Sequence, residues 1–112
     1  MKIAVPLAGG QVCPHFGHSE QFAIYECDPE TKSIIKSELH TPPPHEPGVL
    51  PRWLSEKGAT TIIAGGMGMR AQQLFAQNGV RVIFGANTGD PQAVVEDFLA
   101  GSLVTGDNPC DH

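Results

Sequence analysis

Thr60-Thr61-Ile62-Ile63-Ala64-Gly65-Gly66-Met67-Gly68-Met69-Arg70 is the stretch that decides the fold. Thr60 to Ala64 is β-branched and apolar, the composition of a buried strand. Gly65 to Gly68 breaks it. Met69 to Asn78 is helical in composition, with Leu74 and Phe75 expected to face inward and Gly79 as the stop. A second apolar strand follows over Val80 to Phe84. Two strands joined through a helix run parallel, so the chain reads as α/β.

Working outward, Val49 to Lys57 places Leu50, Trp53 and Leu54 on one helical face expected to meet the core, and Gly58 ends that helix. Past the loop at 85–89, Asp90-Pro91 reads as an N-cap followed by proline at the first helical position. The helix Pro91 to Ala100 then turns Val94, Val95, Phe98 and Leu99 inward and stops at Gly101. Toward the N-terminus, Ile3 to Leu7 is a buried strand, and Gln21 to Glu26 a second. After turn residues Asp28-Pro29-Glu30-Thr31, Ser33 to His40 is a polar edge strand. The order β-β-β-α-β-α-β-α predicts a mixed five-stranded sheet, order 3-2-1-4-5 with strand 2 antiparallel and helices on its faces. That is a ribonuclease H-like arrangement. Residues 1–101 form a single domain, and 102–112 are a polar tail.

The 112 residues carry 40% hydrophobic and 17% charged side chains, a globular composition for one domain. The net charge of -5 argues against a nucleic-acid surface, which needs clustered Lys and Arg. No run approaches the roughly 20 apolar residues of a membrane span, and Met1 to Pro6 is too short before its proline to be a signal peptide. A cytoplasmic protein is expected, monomeric or weakly self-associating. Three cysteines, Cys13, Cys27 and Cys110, do not suggest a disulfide framework; Cys27 is read as structural.

In an open α/β sheet a ligand sits beyond the carboxyl ends of the parallel strands, where strand order reverses. Here that point faces two glycine-rich loops. The first, Gly9 to His18, contains Cys13-x-His15-x-x-His18, a thiol and two imidazoles within six positions. Thiolate and imidazole ligate zinc, copper and iron–sulfur centres. Any one of the three alone reads more simply as a buried filler or a backbone-bonded side chain; the group in a glycine loop reads as a ligand set. The second loop, Gly65-Gly66-Met67-Gly68, precedes a helix, and its N–H groups with Arg70 would cradle an anion. A tight turn without ligand is the competing reading, and Met67 is in itself a packing residue. His45 in the proline loop and Cys110-Asp111-His112 in the tail are further donors. An enzyme is not expected. The central strands carry no carboxylates for a two-metal nuclease site, and no nucleophile elbow is present.

The ordered set Met1-Lys2-Ile3-Ala4-Val5-Pro6, His15-Phe16-Gly17-His18 with Phe22, Pro43 to Pro51 with Trp53-Leu54, Gly65-Gly66-Met67-Gly68, Gly79-Val80 and Gly85-Ala86 resembles the dinitrogenase iron–molybdenum cofactor biosynthesis family. The resemblance implies a ribonuclease H-like fold. It also implies a bound metal–sulfur cluster: the iron–molybdenum cofactor, its iron–sulfur precursor, or a molybdenum–copper sulfide cluster such as one relative carries. By carry-over His15, Phe16, Gly17 and His18 would line the cluster, with Gly65, Gly66, Met67 and Gly68 opposite. Without a radical-enzyme domain the chain would bind, store or pass on a cluster between donor and acceptor proteins. Two alternatives stand beside this: a divalent-metal binder using His15, His18, His40 and His45, and a regulatory or protein-interaction domain without metal.

Overall fold

The computed structural model describes residues 1–44, 46, 48–86, 89–103 and 105. Among them the elements are β1 (Lys2–Ala8), β2 (Gln11–Val12), a 3-10 turn (Phe16–His18), β3 (Gln21–Asp28), β4 (Ser33–His40), α1 (Val49–Glu56), β5 (Thr61–Ile63), α2 (Met69–Gln77), β6 (Arg81–Ile83) and α3 (Pro91–Ala100). The fold is mixed α/β with a six-stranded mixed sheet: β4-β3-β1-β5-β6, with β2 paired to β1. The sixth strand corrects the five-stranded expectation. Two residues are too few to show a period of two, so β2 leaves no pattern in the sequence.

β1 is buried from Ile3 to Leu7 and holds the centre. It pairs antiparallel with β3, Ala4 opposite Ile24 and Pro6 opposite Phe22, and parallel with β5 at Ile3 and Ala4 alone. Pro6 has no N–H to give. At this point β1 parts from β5, and the returning chain takes the vacated side: Val12 stands opposite Leu7, and Cys13 N–H donates to Pro6 O at 2.9 Å. The sheet thus opens between β1 and β5 at their carboxyl ends, and the two glycine-rich loops fill the gap.

Strand alternation divides the core between the two faces. On one, Ile3, Val5, Ala23, Tyr25, Cys27 and Ile63 pack under Val94, Val95 and Leu99 of α3. On the other, Ala4, Phe22, Ile24 and Ile62 pack under Leu50 and Leu54 of α1 and Phe75 of α2. Asp90 caps α3, its carboxylate accepting from Gln92 N–H at 3.2 Å, and Gly101 ends the helix at φ 76°. Trp53 is half-buried and packs against the core as its spacing implied, edge-on to Phe22 and His40 (ring centroids 5.7 and 6.2 Å). Leu74 is likewise half-buried. No described helix is long and apolar enough to cross a membrane.

Candidate functional site

The two loops touch through their backbones. Phe16 N–H donates to Gly66 O at 2.9 Å, and Gly65 N–H donates to Cys13 O at 3.4 Å. The third loop joins them: Gly85 N–H donates to Gly65 O at 2.8 Å, and Val12 N–H to Gly89 O at 2.9 Å. Gly65 is required by space. A Cβ there would stand 2.9 Å from both Cys13 O and Pro14 Cα, closer than real Cβ contacts come. Gly65, Gly66 and Met67 are all buried, and the hydrogen-bonded groups of the glycine pair serve the neighbouring loops. The exposed end of the Gly65 to Gly68 segment is its last residue. Gly68 is exposed with open space beside it, and Met69 and Arg70 in the first turn of α2 are exposed too.

The Cys13-x-His15-x-x-His18 group divides in the same way. Cys13 is 1% exposed, and its Sγ donates to His15 O at 2.9 Å, so the thiol faces inward and braces the turn. His15 and His18 lie at either end of the 3-10 turn, half-buried and exposed, with ring centroids 5.6 Å apart. Gly17 between them is exposed with nothing within contact distance. Phe16 points in, edge-on to Phe22 and Phe75 at 6.1 and 5.4 Å. Hydrogen bonds from His18 N–H to His15 O and from Ser19 N–H to Phe16 O close the turn. Among the described residues no three His, Cys, Asp or Glu side chains converge as a metal ion's ligand set. His45, Cys110 and His112 lie outside the described residues.

Sequence reasoning missed the cavity beside this turn. It holds about 290 Å³ and is walled by Phe16, Leu50, Pro51, Ala71 and Leu74, with Glu46 and Arg70 at its rim. Its walls come from three separate elements, and only the half-burial of Leu74, at odds with its helical position, hints at it. Among the described residues no carboxylate lies within ion-pair distance of Arg70, and Arg70 and Glu46 both line the opening. A mostly apolar wall with one weakly hydrated guanidinium suits a soft, polarisable anion.

An uncharacterized protein of Methanocaldococcus jannaschii, MJ0580, is 30% identical over 106 residues, covering 92% of this chain and 89% of that protein. The crystal structure of PH0822 matches with a TM-score of 0.84 at 28% identity, over 95% of this chain and 96% of that one. The apo form of the orange protein from Desulfovibrio gigas shares the fold with a TM-score of 0.74 at 24% identity, over 96% and 94% of the two chains. The sequence model for dinitrogenase iron-molybdenum cofactor matches residues 1–101. That match starts at the opening strand, ends one residue past α3 and takes in all three loops just described: the chain belongs to the dinitrogenase iron–molybdenum cofactor family.

Proposed function

We propose that the protein binds a preassembled metal–sulfur cluster as cargo and passes it between a donor and an acceptor protein. The cargo sits on the rim made by His15, Gly17, His18, Gly68 and Arg70, over Phe16 and the adjoining cavity. The observation that carries the proposal is the docking of the His15–His18 turn onto Gly66 through Phe16 N–H, 2.9 Å from Gly66 O. It holds two imidazoles 5.6 Å apart, close enough for both to reach one metal through bonds of about 2 Å. Gly65, Gly66 and Met67 form the floor, and Cys13 braces the turn.

Among the described residues the rim offers two imidazoles, His15 and His18. A cluster brings its own sulfides and needs few protein ligands. The remaining donors, His45, Cys110 and His112, enter from the sequence alone. Arg70 and the start of α2 offset the protein's acidic charge locally. The iron–molybdenum cofactor, its iron–sulfur precursor and a molybdenum–copper sulfide all meet these requirements, and the ribonuclease H-like scaffold supplies position rather than chemistry.

Anaerobic reconstitution with tetrathiomolybdate and copper(I), or with iron and sulfide, tests this. A visible charge-transfer band and stoichiometric metal that stay with the protein through desalting are expected. A colourless, metal-free protein after both reconstitutions contradicts it.

A further inference from the structure

We infer that the protein pairs with a second copy of itself along the outer edge of β4, antiparallel, with Ser37 opposite Ser37 of the partner subunit. β4 ends the sheet order, and among the described residues only β3 pairs with it. It is eight residues long. Natural edge strands are blunted by charge, bulges, proline or a covering element, and β4 carries Lys36, Glu38 and an irregularity at Ile35. Between these it exposes Ile35 (64%) and Leu39 (59%).

The charges and the apolar residues select one register. Ser37 lies beside Tyr25 and Leu39 beside Ala23, so both are on the α3 face. Lys36 and Glu38 are on the other face, joined at 2.8 Å. A two-fold axis at Ser37 sets Lys36 against the partner's Glu38, and Glu38 against the partner's Lys36. The four charges then alternate in sign. The same axis sets Leu39, on the α3 face, opposite the partner's Ile35 at the irregularity of the strand. Leu39 also lines a groove of about 370 Å³ with Leu7, Ala23, Tyr25, Ser37 and Pro91. Moving the axis to Lys36 opposes two lysines, and moving it to Glu38 opposes two glutamates. Like charges directly opposite are unfavourable, so of these three centres Ser37 is the one the charges favour.

The irregularity between Glu26 and Cys27 pairs Glu26 with Lys36 and Cys27 with Ile34, leaving Ile35 as the extra residue. The regular ladder on this edge runs from Lys36 to His40, and an axis at Ser37 uses Lys36, Ser37 and Glu38 of it, with Ile35 and Leu39 at its ends. Such an interface is isologous, the same patch on both copies. It leaves the Phe16–His18 turn and α2 outside the contact.

Sedimentation of the full chain at rising concentration tests the inference, with far-UV circular dichroism confirming that each variant folds. The wild type should dimerise, more weakly in high salt because the charges are exposed. Lys36→Glu and Glu38→Lys should each weaken dimerisation by about tenfold or more, since each change makes two cross-strand pairs repulsive. An equimolar mixture of the two variants should recover a heterodimer. A wild type that stays monomeric at every concentration overturns the inference. So does a dimer that both variants leave intact, or a mixture that fails to associate.

Discussion

Two layers of one site, the floor and the rim, are built from the same two short stretches of chain. The floor is Cys13, Phe16 and Gly65 to Met67, where backbone groups answer one another and side chains pack. The rim is His15, Gly17, His18 and Gly68 to Arg70, largely open to solvent. Neighbours in sequence fall in opposite layers: Cys13 in and His15 out, Phe16 in and Gly17 out, Met67 in and Gly68 out. The glycines differ in kind as well. Gly65 is needed because backbone lies 2.9 Å from where a Cβ would be, whereas Gly17 and Gly68 have open space around them. A glycine-rich loop is therefore not evidence of a ligand cradle until the occupant of the space is known.

The contrast predicts that floor variants lose stability and rim variants do not. Met67 is 0% exposed beneath α2. Met67→Ala should cost about 2–5 kcal/mol, the range for emptying a buried site, as read by urea denaturation. Gly65→Ala should cost about 1–3 kcal/mol, because two backbone segments must shift to admit the methyl group. A smaller loss would show that the loops part easily. Away from the site, Asp90→Ala removes the one carboxylate capping α3 and should cost about 1 kcal/mol. At the rim, the exposed His18→Ala should change stability by no more than about 0.5 kcal/mol. A loss as large as that of Met67→Ala would move His18 into the floor and erase the distinction.

The parts of the fold governed by local chemistry were legible in the sequence. α3 spans Pro91–Ala100 because Asp90, Pro91 and Gly101 mark its ends within a turn of chain. β4 spans Ser33–His40 because turn residues and prolines bound it. What depended on other segments was not legible. β5 and β6 keep three residues each, against five expected, because a strand ends where its neighbour's ladder ends. β2 exists because Pro6 leaves a side of β1 open, and no window around Gln11 carries that information. The same reason hid the layering of the site. Cys13-x-His15-x-x-His18 gives the donor types but not their directions, which are fixed by the bonds from Cys13 N–H to Pro6 O and Phe16 N–H to Gly66 O.

The most direct test compares cluster loading, per mole of folded protein, in Cys13→Ala and in the His15→Ala/His18→Ala double variant after identical anaerobic reconstitution. The account predicts wild-type loading for Cys13→Ala and at most a small fraction of it for the double histidine variant. Full loading without the histidines, or none without the cysteine, would contradict the assignment of rim and floor.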